Sequence, residues 1–199
     1  MFESMPDEGR PDHQPIRRHL SDRQAEAVER LLAAAADEVE VTSYGEISVR
    51  SIAKRAGVAT ATAYTYFSSK DHLLAEVLWR RMQASPLMLD MNQPLSTRVA
   101  ETVRSMGFEA IDSPATVAAC TTALLGDGPD VKQVRTRIGE EIALRLRAAL
   151  GPDADPSLLA VLQITYTGAI LSAGLGHLRY PAVPELVAEA ARLMDRAAS

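Results

Sequence analysis

The 199-residue chain is long enough for one compact domain or a small head on a larger body, and at net charge −5 it is not globally basic. With 47% of residues apolar and 24% charged it can bury a proper core, which excludes disorder over most of its length. Its one cysteine, Cys120, excludes an internal disulfide and a Cys-rich zinc site, and fits a reducing cytoplasm.

Residues 1–20 are polar, acidic and proline-bearing, with no apolar stretch of the kind a signal peptide needs. They read as a disordered arm, with Arg17, Arg18 and His19 as solvated linker. A first helix opens at Ser21, an N-cap with Gln24 three residues on, and carries Val28, Leu31, Leu32, Ala35 and Val39 along one face. "TSYGEIS" interrupts it. Two short helices follow, from near Ser48 to Gly57 and from near Thr60 to near Ser68. The capping pattern "SSKD", Ser68 to Asp71, opens a fourth helix that stops before Pro86.

Met88 to Pro94 is irregular, and helical runs then span 96–107, 114–125 and 130–150. On the last of these, Glu140 and Glu141 with Arg137, Arg145 and Arg147 read as a salt-bridged surface. A long uncharged helix covers 157–179, and "PAVP" turns the chain into a final helix over 185–197. The uncharged run could span a bilayer by length. It is solitary, and it holds Gln163, Thr165, Tyr166, Thr167, Ser172 and His177, so it reads as buried between other helices, without a membrane partner. No stretch alternates as a strand would, and the chain reads as all-α with about nine helices.

"SIAKRAGVATATAYTYFSSK", residues 51–70, concentrates the functional signal. Its two short helices meet at Gly57, where a sharp turn with positive φ is expected. Ile52, Ala53, Ala63 and Phe67 are placed to face inward. This is a helix-turn-helix pattern, whose second helix enters the DNA major groove. Between Ile47 and Lys70 stand four basic residues (Arg50, Lys54, Arg55, Lys70) and no carboxylate, as a surface facing phosphates requires. An acidic total is no obstacle, because local charge governs docking.

At these residues the chain resembles the TetR family of transcriptional regulators. The resemblance is carried by "ISVRSIAKRAGVATATAYTYFSSKDHLL", with its "AGV", its recognition helix ending in Tyr-x-Tyr-Phe, and the following "SK" and leucine pair. It departs from the family's usual residues at Ser43, Ala59, Thr60, Ala61, Ala63 and Ser68, and Thr60 and Ala61 bear on which DNA sequence is read.

The resemblance implies three parts: an arm over 1–20, a helix-turn-helix domain over 21–70 and a ligand-binding and dimerisation body over 71–199. It also implies that Ser48 meets a phosphate at a helix N-terminus and that Arg50 reaches a base edge. Thr60, Ala61 and Thr62 would face bases. Thr62, Tyr64 and Tyr66 would hold phosphates through hydroxyls, and Lys70 would clamp another. Lys54 and Arg55 read as solvated or general electrostatic contacts.

No catalytic constellation or metal-ligand spacing stands out in the body, and no cofactor is expected. The resemblance implies a small-molecule effector instead, and Trp79, Met82, Met88, Met91, Phe108, Cys120, Tyr166 and His177 are its candidate lining for a largely apolar ligand. It also implies a homodimer built on the last two helices. Gly168, Ser172 and Gly176, spaced by four, and Leu186 and Leu193 are the candidate interface, close packing within one subunit being the other reading. The function expected is a repressor on double-stranded DNA bearing an inverted repeat. An activator of the same fold, or a sequestering protein with a non-functional helix-turn-helix, are the alternatives.

Overall fold

Three- and four-residue spacing of apolar side chains builds α1 (Asp22–Val41), whose Val28, Leu31, Leu32, Ala35 and Val39 are all buried. The chain is described here by a computed structural model over residues 22–106 and 114–198. The arm 1–20, Ser21 and Phe108 lie outside the described residues, among which there are nine α-helices, one 3-10 turn and no strand. Helix α2 (Val49–Ala56) and helix α3 (Thr60–Tyr66) complete a head with α1. Leu31, Ile52, Ala53, Ala63 and Phe67 form its core.

Helix α4 (Lys70–Ala84) leads from the head into the body. Its N-cap is Ser69, whose hydroxyl accepts from the His72 N–H at 3.0 Å, one residue later than the "SSKD" pattern suggests. The shift has a cause. Asp71 accepts from the Tyr44 hydroxyl at 2.6 Å, and Ser68 donates to Asp130 at 2.6 Å, so neither serves a capping box.

The body continues with α5 (Leu95–Arg104), α6 (Pro114–Ala123), α7 (Pro129–Leu150), α8 (Pro156–Gly174), the 3-10 turn Tyr180–Ala182 and α9 (Val183–Ala198). Helix α4 packs on α6 and α7; α5 packs on α7 and α9; α8 packs on α6, α7 and α9. The head rests on the body through α1 against α4 and α6.

Helix α7 runs beside α4 in the same direction and is tied to it at three levels. At the top, Asp130 accepts from Ser68. In the middle, Arg137 pairs with Glu76 and lies 5.3 Å over the Trp79 ring. At the bottom, Arg145 donates to the carbonyls of Met82 at 2.8 Å and Ser85 at 3.0 Å.

Two expectations are corrected here. Arg145 is no surface residue. At 6% exposure it also donates to the Ser105 carbonyl at 2.6 Å and to Glu141 at 2.7 Å. The periodicity contains the reason, because Val134, Ile138, Arg145 and Ala149 share the buried stripe of α7. Helix α8 stops at Gly174, five residues short of the expected end. Gly176 adopts φ 79°, and the His177 N–H donates to the Ser172 carbonyl at 2.9 Å while the Gly176 N–H donates to that of Ala173 at 3.0 Å. That pair of bonds is a Schellman stop, which glycine permits and an apolar pattern does not announce.

Helix α8 is long and apolar enough to cross a membrane by length and composition. Only one face is buried within the chain, through Leu159, Leu162, Tyr166, Ala169, Ile170 and Ala173. The expectation of a helix buried between other helices is therefore corrected: about a third of α8 is buried, along one face.

Candidate nucleic-acid interface

The geometry of the head starts from two local devices. At the N-terminus of α2, the Ser48 side chain accepts from the Ser51 N–H at 3.1 Å and the Ser51 hydroxyl accepts from the Ser48 N–H at 3.0 Å. This reciprocal box satisfies two of the donors that a helix start leaves open. At the other end Gly57 takes φ 63° and ψ 32°, its N–H donating to the Lys54 carbonyl and that of Val58 to the Ala53 carbonyl at 3.0 Å. The left-handed glycine ends α2 and sets the direction in which α3 leaves.

Helix α3 is anchored by Ala63, which is fully buried, and by Phe67 immediately after it. Ala61, Tyr64 and Thr65 are exposed, and Thr60, Thr62 and Tyr66 are half-buried. Ser48 and Arg50 are exposed on α2. The candidates on α2 and α3 thus stand on two helices packed against each other, with the anchoring residues in the core between these and α1.

The four cations of this region are not equivalent. Arg55 pairs with Glu38 of α1, a buried carboxylate. Lys70 is half-buried, donates to the Tyr44 carbonyl at 2.6 Å and lies 4.3 Å over the Tyr44 ring. Burial and the Asp71 carboxylate raise the Tyr44 phenol well above its ordinary range, so it remains the donor in this cluster. Arg50 and Lys54 remain as exposed cations. Counting residues between Ile47 and Lys70 misses this division, yet Glu38 gives a signal: it follows Leu31 and Ala35 on the inward stripe of α1, where an acid needs a cation.

The effector candidates do not converge. Met82, Cys120 and Tyr166 are buried in the body, where desolvation pushes the Cys120 thiol up to about 12 and the Tyr166 phenol far above its usual range. Met88 is 79% exposed, and Met91 and His177 are also on the surface. Trp79 lines a different space, an open groove of about 380 Å³ beneath the head, with Tyr66, His72, Glu76, Arg80 and Arg137 around it. Among the described residues no group of His, Cys, Asp or Glu is arranged to hold a metal ion.

The interface candidates lie on α8, just past its end, and on α9. A side chain at Gly168 would meet nothing within 4 Å, Ser172 is half-buried, and Gly176 stands past the end of α8 as its stop. Leu186 and Leu193 of α9 are exposed. Four residues that sequence reasoning passed over join them: Val161, Ile164, Leu171 and Leu175 are exposed and, with Gly168, repeat at alternating steps of three and four. That spacing was available in the sequence; which face of α8 the chain itself covers was not.

A family model described as bacterial regulatory proteins, tetR family, matches residues 31–77, from the middle of α1 into α4. Uncharacterised HTH-type transcriptional regulators of Mycobacterium tuberculosis and Mycobacterium bovis are 44% identical to this chain over 160 residues, 79% of this chain and 75% of theirs. In fold it is similar to a TetR transcriptional regulator from Rhodococcus sp. RHA1, with a TM-score of 0.67 and 24% identity, covering 87% of this chain and 97% of that one. It is similar also to TylP, a TetR regulator from Streptomyces fradiae, at a TM-score of 0.53 and 22% identity, over 85% of this chain and 86% of that one. The mycobacterial likeness extends well beyond the helix-turn-helix into the body, and the chain belongs to the TetR family of bacterial transcriptional regulators.

Proposed function

We propose that the protein is a homodimeric repressor that binds an inverted-repeat operator and is released from it by a small, largely apolar ligand. The observation that carries this reading is the uncovered apolar stripe of α8, Val161, Ile164, Gly168, Leu171 and Leu175, together with the exposed Leu186 and Leu193 of α9. A second copy would cover this stripe and pair two heads about a two-fold axis. Two recognition helices set roughly 34 Å apart enter successive major grooves, and the two-fold of the protein then requires an inverted repeat. Ser48, Arg50, Thr60, Ala61, Thr62, Tyr64 and Tyr66 are the proposed DNA contacts. Lys70 joins them only by exchanging its bond to Tyr44 for a phosphate. An apolar effector fits a body whose buried candidates, Met82, Cys120 and Tyr166, carry no charge.

The test is selection of binders from random duplex DNA by the full chain at physiological salt, followed by sedimentation of the complex. An enriched inverted repeat bound by two copies is expected. Weak, salt-sensitive binding with no enriched sequence would overturn the proposal. Transcription from a promoter carrying the selected site then gives the sign of regulation.

A further inference from the structure

Helix α3, Thr-Ala-Thr-Ala-Tyr-Thr-Tyr, contains no Arg, Lys, Asn, Gln, Asp or Glu. In the major groove, purines are discriminated chiefly by bidentate hydrogen bonds: Arg or Lys to guanine, Asn or Gln to adenine. None of these side chains is available on α3. Of the nearby cations, Arg55 is paired with Glu38 and Lys70 is folded back on Tyr44, which leaves Arg50 and Lys54. Both are exposed, and both stand on α2, not on α3.

What α3 does offer is methyl groups. Ala61 and Thr65, one helical turn apart and both exposed, share a face. The Thr65 hydroxyl donates to the Ala61 carbonyl at 3.1 Å, which commits its proton to the helix and withdraws it as a donor to a base. The C5-methyl of thymine is the apolar feature of the major-groove edge, and apolar side chains contact it.

We propose that α3 reads its half-site through thymine C5-methyl groups, packed against the methyls of Ala61 and Thr65, so that the operator carries thymine rather than a hydrogen-bonded purine contact at that step. The inference rests on the reading of the chain as a sequence-specific DNA-binding protein. It adds the base and the atom recognised. Readout of this kind depends on shape and desolvation, so its strength scales with the apolar surface buried.

The test begins with the operator obtained by selection with the full chain. Each thymidine of both half-sites is replaced in turn by deoxyuridine, which removes the C5-methyl and keeps the pairing and every phosphate. Loss of one buried methyl is expected to raise Kd about fourfold at one or two positions per half-site. Thr65→Ser keeps the hydroxyl and deletes the methyl. With this variant the deoxyuridine penalty is expected to vanish at one of those positions, while thermal unfolding stays unchanged. A selected operator that is bound equally well with deoxyuridine at every position would overturn the methyl readout and leave the regulator standing. Failure to select any sequence would overturn both.

Discussion

Arg145 shows how one side chain can hold several helices at once. Its guanidinium donates to carbonyls at the end of α4 and beyond α5, and to Glu141 of its own helix. Arg145→Met keeps the volume but leaves those acceptors and the carboxylate without their donor, and a loss of about 3–5 kcal/mol is expected from urea unfolding. Arg145→Lys should rescue little, since an ammonium lacks the planar fork that reaches several carbonyls together. Cys120 gives a second prediction, on pH. Its folded-state thiol titrates near 12 against an ordinary 9.0, because burial disfavours the thiolate. A raised pKa means that the folded form keeps a proton that the unfolded chain releases. Stability is therefore intact below pH 9 and falls as pH rises toward 12, by roughly 1 kcal/mol per pH unit from this group. The phenols of Tyr44, Tyr166 and Tyr180 are raised too and steepen the fall above their ordinary value of 10.0. Urea unfolding from pH 8 to 11 should show this limb, with Cys120→Ala delaying its onset to the tyrosine range.

At the scale of helices, α2 leaves Arg50 and Lys54 on the surface and ties Arg55 to Glu38 of α1. Arg50→Ala is expected to weaken operator binding by about 1–3 kcal/mol and to relax specificity at one position. Lys54→Ala should reduce the slope of log K against log salt by about one per subunit. Arg55→Ala should leave that slope alone and lower stability instead, since it strands the buried Glu38 carboxylate. Titrating the selected operator at several salt concentrations separates the three variants. The same helices show what a sequence makes legible. The ends of α2 were readable from Ser48 and Gly57, because caps are contacts between residues three to five apart. The inward residues Ala63 and Phe67 were readable from their spacing. The pairings of Arg55 with Glu38 and of Lys70 with Tyr44 join residues 17 and 26 positions apart, and only the packing of α1 on α2 and α4 brings them together. Nor could spacing reveal that α8 turns only one of its apolar faces inward, since the identity of the covering element lies elsewhere in the chain.

For the molecule as a whole, the outward face of α8 makes the strongest demand. Ile164 and Leu175 are each 73% exposed, and a soluble monomer gains nothing from that. Ile164→Glu is expected to leave the fold intact and to give a monomer by sedimentation. Its affinity for a full inverted repeat should drop toward that for a single half-site, as the two heads lose their linkage. The three ties between α4 and α7 bear on how the release proposed above would reach the head. A lone helix of 15 residues, about 22 Å long, bends under modest load, and a push on its lower end would be absorbed along its length. Fastened at top, middle and bottom to a parallel partner, α4 is half of a two-ply beam. Such a beam resists bending and answers a push by tilting as one piece. A tilt of about 5° over its length would carry the head end about 2 Å, and in the proposed dimer two subunits tilting oppositely would change the spacing of their heads by about 4 Å against the roughly 34 Å of a DNA turn.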